Sequence, residues 1–143
     1  MKEYNEIVAD LNYESSYIKN LQISNNCISI TNDSKKQYGL DIVPIEYTSN
    51  DKARYISLEM KIIVYVEENE KLSKIDLEIV GAFSAPISMP EETFKKMSLI
   101  NGGAALYSIA RGKIENLTAM TYKNGKITLP MVNIMEYYKS KAE

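Results

Sequence analysis

The chain has 143 residues, no histidine, one cysteine, and 17 basic against 19 acidic side chains, which give a net charge of −2. Without histidine the commonest general base and metal ligand are missing, and the single cysteine excludes an internal disulfide and an ordinary zinc site. Lysine and arginine form no stripe along the sequence, so neither DNA nor RNA is expected as a partner.

The length fits one domain over residues 1–143, with room for a core. No apolar run is long enough to span a membrane, and the first residues lack the apolar segment of a secretory signal. We therefore expect a cytoplasmic protein that does not insert into a membrane. Cys27 has no base nearby in the sequence and is expected to be an inert thiol.

The N-terminal part is predicted to be an arm or short helix over residues 1–14, followed by a four-stranded sheet over 15–84. The arm is assigned from three apolar residues at helical spacing, Ile7, Val8 and Leu11. The first strand is expected over 17–23, with 27–30 as a short extension. Three of its residues are expected to share one buried face: Tyr17, Leu21 and Ile23.

A second strand is predicted over residues 38–48. Leu40 and Ile42 are expected to face one way. Three later residues are expected to face the other: Val43, Ile45 and Tyr47. Pro44 cannot donate a hydrogen bond to a neighbouring strand, so this strand is expected at a sheet edge or with a bulge.

The central element is a hairpin over residues 55–83. Aliphatic residues alternate with other residues from Ile56 to Val66 and again from Ile75 to Ile79, a period of two that is typical of strands. One face of the hairpin is aliphatic and must be covered, because a lone hairpin is marginal in water. The other face is less polar than solvent requires, since it carries Tyr55, Ile63, Tyr65 and Val80.

Helices are predicted for the rest of the chain. A crossover and short helix occupy 85–100, where Pro90 starts the helix. Residues 101–103 form a break, and a long helix follows to residue 121, weakened by about 1 kcal/mol at Gly112. The last helix covers 130–141. Four of its residues are expected to share a face: Met131, Ile134, Met135 and Tyr138.

This order of elements predicts an α+β fold, a four-stranded antiparallel sheet followed by two or three helices packed on one face. No residue set suggests a catalytic centre, a metal site or a cofactor, and we predict that the protein is not an enzyme. Glu91 and Glu92 point apart on a helix and complement its dipole. Arg111 either anchors a ligand carboxylate or, as is more common, pairs with Glu115 one helical turn later.

The stretch 101–111 resembles the hallmark of the SecB family of protein-export chaperones, Asn-x-Pro-x-Ile-Leu-Phe-Pro-Tyr-x-Arg. Four residues follow that pattern: Asn101, Leu106, Tyr107 in place of Phe, and Arg111. Two stand where prolines are usual: Gly103 and Ser108. Residues 81–83, 117–119 and 129–133 resemble the family's Gly-x-Phe, Leu-Thr-Ala and Leu-Pro-Pro-Ile-Asn-Phe, so that the match runs from 17 to about 138 at aligned spacing.

The resemblance implies a homotetramer, a dimer of dimers, whose apolar grooves hold unfolded client proteins without ATP. The protein would then be a holdase for extended apolar segments of its clients, including preproteins for export. For each of the residues in the next sentence, the alternative to client contact is a place in the core or in a subunit interface. Client contact is assigned to Tyr38, Tyr55, Ile63, Tyr65, Phe83, Leu106, Tyr107, Ile134 and Tyr138.

The partner of this holdase is left open by the resemblance. The family's contact with the export ATPase SecA uses an acidic patch on the outer sheet. Asp76 matches one acidic position, whereas Asn20, Ser24 and Lys74 depart, which weakens the expectation of SecA docking. One alternative is a dedicated SecB-like chaperone of a toxin–antitoxin system, which holds an aggregation-prone antitoxin. A further alternative, a small-ligand-binding α+β protein, requires Arg111 to point into an enclosed polar pocket.

Overall fold

A computed structural model describes residues 1–3, 9–25 and 27–142. Four strands form one antiparallel sheet in the order β1-β4-β3-β2. They are β1 (Asn12–Ser24), β2 (Lys35–Ser49), β3 (Ala53–Glu68) and β4 (Lys71–Pro86). The helices that follow are α1 (Glu91–Met97), α2 (Gly103–Thr121) and α3 (Ile134–Ala142), with a π-helical turn, Ser98–Gly102, joining α1 to α2. The predicted α+β fold is confirmed.

The predicted central hairpin is the β3–β4 pair, which occupies the middle of the sheet. Its strands stay in register from Ala53↔Pro86 to Glu68↔Lys71, so that the turn contains only Asn69 and Glu70. Both turn residues have positive φ, 51° and 65°, which suits a tight two-residue hairpin turn. The acidic residues just before the turn, Glu67 and Glu68, are the last two residues of β3.

The core lies between one face of the sheet and the helices. Alternate residues of β3 and β4 supply the sheet side, and α1 and α2 supply the other side. Fully or almost fully buried members from the sheet include Leu58, Met60, Ile62, Ile75, Leu77, Ile79 and Phe83. Those from the helices include Phe94, Leu106, Ala110 and Ile114. No described helix or strand covers the opposite, outer face of the sheet.

Strand β1 is longer than predicted, and its faces differ from the prediction. It begins at Asn12, so the end of the predicted arm belongs to the sheet. Ile7 and Val8 lie outside the described residues. A register shift between Ile18 and Asn20 reverses the alternation, and Tyr17 pairs with Val80 on the outer face, away from Leu21. The predicted extension at 27–30 is a loop with a single bridge from Ser29 to Asn124.

The helical region differs from the prediction at two places. The predicted break at 101–103 is absent, because the helix continues through the π-helical turn into α2. A Cβ atom on Gly102 would lie 3.2 Å from the Phe83 ring, so this glycine serves close packing. The last helix begins at Ile134 after a segment with neither helix nor strand, and the Asn133 side chain accepts a hydrogen bond from the Glu136 N–H (3.1 Å) as a helix cap. Met131 therefore lies outside α3.

Candidate functional site

Two open cavities lie along edge strand β2, on the helix side of the sheet. The first, which we call the Tyr38 cavity, has a volume of about 240 Å³ and is lined by Tyr38, Gly39, Leu40, Ile62, Tyr107, Pro130, Val132 and Tyr137. The second, the Pro44 cavity, has a volume of about 360 Å³ and is lined by Pro44, Ile45, Glu46, Tyr47, Ile56, Lys95 and Leu99. Both are lined mostly by apolar and aromatic side chains, which suits apolar ligand groups.

The alternation of β2 determines which of its side chains enter these cavities. Leu40 and Ile42 pair with core residues of β3 and therefore face the helices. The register shifts between Pro44 and Glu46, so Ile45 is the extra residue of a bulge. Beyond the bulge Tyr47 faces the helices, although the uninterrupted alternation placed it on the opposite side. The expectation that Pro44 marks an edge or a bulge is confirmed on both counts.

Two hydrogen bonds hold the segment after α2 beside the Tyr38 cavity. The Tyr107 hydroxyl donates to the Pro130 carbonyl (2.5 Å), and the Arg111 Nε donates to the Leu129 carbonyl (2.7 Å). The Arg111 Nε is thus used on a backbone carbonyl, and the predicted ion pair is absent among the described residues, since Glu115 pairs with Lys126 (2.7 Å). Burial is the main cause of the raised pKa of Tyr107.

The Pro44 cavity has α1 as its other wall. Arg54 of β3 fixes that wall through hydrogen bonds from its guanidinium to the Met89 carbonyl (2.7 Å) and the Tyr47 hydroxyl (3.0 Å). The Lys95 ammonium lies 4.7 Å from the centre of the Tyr47 ring and also pairs with Glu91 (3.1 Å). The cavity therefore has an apolar floor with one cation at its rim.

Helix α3 crosses the open edge of β2 between the two cavities. The Tyr137 hydroxyl accepts a hydrogen bond from the Ile42 N–H (2.8 Å) and donates one to the Asp41 carboxylate (3.0 Å). The Lys141 ammonium forms an ion pair with the same carboxylate, and that contact is the main cause of the lowered pKa of Asp41. We call Asp41, Tyr137 and Lys141 the Asp41 cluster.

Tyr138, the neighbour of Tyr137, is held differently. Its hydroxyl is buried and has no hydrogen-bond partner among the described residues. Burial raises the pKa of Tyr138 to about 12. A buried hydroxyl without a partner costs about 1–3 kcal/mol, so this hydroxyl opposes the docking of α3, although the Tyr138 ring packs against the core.

Comparison with known proteins identifies the fold. No protein-family model and no curated protein sequence matches the chain. Among solved structures, the Mycobacterium tuberculosis SecB-like chaperone Rv1957, in complex with a ChAD peptide from the antitoxin HigA1 (Rv1956), matches with a TM-score of 0.60 at 15% identity, over 86% of this chain and 91% of that chain. The chain has a SecB-like fold.

A second solved structure also matches over most of the chain. It is a protein of unknown function from Streptococcus agalactiae, at 7% identity with a TM-score of 0.45, over 85% of this chain and 97% of that chain. The first match confirms the resemblance found in the sequence. Within the SecB-like fold, the matched residues Tyr107 and Arg111 tie α2 to the segment after it.

The nine residues assigned to client contact do not form one site in this chain. Tyr38 and Tyr107 line the Tyr38 cavity. Ile134 and Tyr138 belong to α3 and pack against the core. Two others, Phe83 and Leu106, are enclosed in the core, where a Cβ atom on Gly81 would lie 2.8 Å from Leu106. Three lie on the outer face of the sheet: Tyr55, Ile63 and Tyr65.

The outer face is crossed by ion pairs and is less apolar than the sequence indicated. Glu59 is buried there and pairs with Lys19 (3.2 Å) and Lys61 (3.9 Å). Glu78 also pairs with Lys61 (3.5 Å), and Asp76 pairs with Lys74 (3.8 Å). These four contacts neutralise the carboxylates that would form an acidic patch.

Sequence reasoning missed Leu40, Val132, Pro130 and Tyr137 as cavity residues. Periodicity places Leu40 on one face of β2, but it does not show which face the helices cover. Within residues 1–3, 9–25 and 27–142, no three histidine, cysteine or acidic side chains are grouped to hold a metal ion. No helix in that part of the chain is both long and apolar enough to cross a membrane.

Proposed function

We propose that this protein is an ATP-independent holdase that binds extended apolar segments of unfolded client proteins along β2, acts in the cytoplasm and catalyses no reaction. The observation that carries the proposal is the pair of apolar cavities beside an edge strand. An extended peptide can hydrogen-bond to such an edge while its alternate side chains enter neighbouring pockets. The match to a SecB-like chaperone with a bound peptide supports the proposal.

The spacing of the cavities sets the length of the client segment. Gly39 and Ile45 line different cavities and lie six residues apart on β2. At about 3.3 Å per residue, one extended segment spans this interval of roughly 20 Å and, with flanking residues, requires about eight to ten residues. Apolar side chains near its two ends would fill the two cavities.

Light scattering tests the holdase proposal. A chemically unfolded client protein, diluted into buffer with the stoichiometric amount of this protein and no ATP, is expected to aggregate much less than the client alone. The physical reason is that apolar client segments transferred into the cavities cannot join one another. Serum albumin at the same mass concentration controls for crowding. Equal scattering with and without this protein would contradict the proposal.

The client could be one dedicated partner, an antitoxin, and two observations favour this second candidate over a role in export. The structural neighbour was solved with an antitoxin peptide, and the outer face here lacks unpaired carboxylates in the Asp76 region where SecA would dock. Purification from the native organism tests it. A dedicated chaperone is expected to retain one gene product encoded beside it, whereas an export chaperone retains many preproteins.

The proposal includes assembly as a homotetramer, a dimer of dimers, and the exposed face of α2 supports it. Besides the exposed Met120 near its end, that face carries small or short side chains: Ala104, Ala105, Ser108, Gly112, Asn116 and Ala119. A Cβ atom on Gly112 would meet nothing within 4 Å, so the subunit itself gives no reason for this glycine. A glycine inside a helix costs about 1 kcal/mol, and a close helix–helix contact between subunits would account for it.

Substitution Gly112→Leu tests this assembly. In the subunit the leucine has open space and a better helix propensity, so the unfolding free energy of the dissociated subunit should rise by up to about 1 kcal/mol. In the tetramer it would hold the helices apart, and we expect a lower association constant in sedimentation equilibrium. Unchanged association together with a stabilised subunit would show that subunits do not meet at this face.

A further inference from the structure

The open edge of β2 is unequally protected along its length. In an antiparallel edge strand, alternate residues direct their N–H groups away from the sheet. Ile42 is one of them, because its N–H donates to Tyr137. Tyr38 and Leu40 precede it at intervals of two residues without a register shift, so their N–H groups also point away from the sheet. Pro44 has no N–H to offer. No described residue outside the sheet accepts a hydrogen bond from Tyr38 or Leu40, and the edge is therefore open before Ile42 and closed at it.

Helix α3 is weakly held at this position. It has only nine residues, too few for a stable helix in isolation, and Ile134 is its one buried residue in the described chain. Its attachment to β2 is the Asp41 cluster, whose ion pair is about half exposed to solvent. The Tyr138 hydroxyl, buried without a partner, acts against the docked position. On the β2 edge, docked α3 is thus held by a few polar contacts, while Ile134 and the Tyr137 and Tyr138 rings pack against the core.

We propose that α3 is a removable cover on the middle of the β2 edge, held by the Asp41 cluster, and that an extended peptide must displace it to reach both cavities at once. This inference rests on the proposed function. With α3 docked, a client segment meets either the Tyr38 cavity or the Pro44 cavity. With α3 displaced, the N–H of Ile42 becomes available, the Tyr137 ring leaves the wall of the Tyr38 cavity, and the two cavities open into one groove along β2.

The occupant of the uncovered edge is a client peptide and not a second copy of β2. Paired edges of two copies would need a long regular strand, whereas Pro44 lacks a donor and the bulge at Ile45 interrupts the ladder. A short segment from about Lys36 to Ile42 remains regular. It offers hydrogen bonds to a few residues of a peptide whose alternate side chains face the cavities.

Two adjacent tyrosines provide opposite variants for the test. Tyr137→Phe keeps the ring and removes both hydrogen bonds of the hydroxyl, so it should favour displaced α3 by roughly tenfold. Tyr138→Phe removes the unpartnered hydroxyl and should favour docked α3 by roughly fivefold. Tyr122→Phe is the control, since it removes a buried hydrogen bond to Ser73 (2.7 Å) on a different part of the molecule.

Two measurements are made on the full chain of each variant. Hydrogen exchange of the α3 backbone amides, such as the Tyr137 N–H that donates to the Asn133 carbonyl (3.0 Å), reports on α3 displacement without any client, because a nine-residue helix does not persist once undocked. Fluorescence anisotropy of a labelled peptide of about ten residues, alternating leucine and serine, reports on binding. We expect faster exchange and roughly tenfold tighter binding in Tyr137→Phe, and slower exchange and roughly fivefold weaker binding in Tyr138→Phe. Tyr122→Phe should change neither.

The outcomes separate the two proposals. Faster exchange in Tyr137→Phe with unchanged peptide affinity would show that α3 does not compete with clients, and the cover would be rejected while the holdase remains. Unchanged exchange would show that the Asp41 cluster does not hold α3, which also rejects the cover. No binding by the wild type and by all three variants would instead reject the holdase proposal and, with it, competition for the edge.

Discussion

Replacing Leu40 by asparagine is expected to weaken client binding by roughly 10- to 100-fold, whereas the same replacement of Ile63 should leave it almost unchanged. The two residues are half-buried aliphatic side chains on neighbouring rows of the β2–β3 pair. Leu40 lines the Tyr38 cavity, and Ile63 lies on the outer face. Loss of one apolar contact of about 1.5–3 kcal/mol accounts for the expected change at Leu40.

The matched pair decides which face of the sheet binds clients. Both substitutions remove a similar aliphatic surface without adding charge, so both should lower the thermal midpoint by a similar small amount. Peptide affinity is measured by anisotropy and the midpoint by circular dichroism. A large loss of affinity in Ile63→Asn, with none in Leu40→Asn, would move client binding to the outer face with Tyr55 and Tyr65.

The main elements of the fold were predictable because their patterns are local and long. The alternation from Ile56 to Val66 extends over most of β3, and no helix could bury those residues on one side. Pro44 correctly indicated an edge or a bulge in β2 because its missing donor acts locally. The SecB-like order of four strands and then helices followed from these signals and from the residues that match the family.

The strand faces were wrong where a bulge inserts one residue. The register shifts near Lys19 and Ile45 reverse the alternation, which moved Tyr17 to the outer face and Tyr47 to the helix side. A bulge depends on how the partner strand pairs, and periodicity within one strand does not contain that information. The prediction of a break at 101–103 was wrong for a similar reason, since Gly102 packs against Phe83 and Gly103 against Ile134, both distant in the chain.

The site was less predictable than the fold. Tyr107 and Arg111 were found through the resemblance, but their side chains are used on backbone carbonyls of the segment after α2. Tyr137 had no signal in the sequence, because its role depends on the docking of α3 against Asp41 and Ile42, about a hundred positions earlier in the chain. Long-range contacts of this kind become visible only in the folded structure.

Substitution Gly125→Ala should lower the free energy of unfolding by about 2–4 kcal/mol, a large part of the stability of a domain of this size. Gly125 has a φ of +80°, a region that alanine rarely adopts. A Cβ atom there would lie 2.2 Å from the Ile30 carbonyl oxygen. Ile30 cannot move away freely, since its N–H donates to the Asn124 carbonyl (2.8 Å) in the same turn.

The clash at Gly125 therefore breaks the contact between the 27–34 loop and the turn after α2, and it exposes buried Ile28 and Ile30. Gly39→Ala is the control, because a Cβ atom there would make an ordinary contact of 3.8 Å with Ile63 and should be neutral or stabilising by up to about 1 kcal/mol. Urea unfolding of both variants measures the difference. A turn anchored to Ile30 cannot absorb the clash. A decrease of less than about 1 kcal/mol in the unfolding free energy of Gly125→Ala would therefore show that the turn opens without disturbing the core.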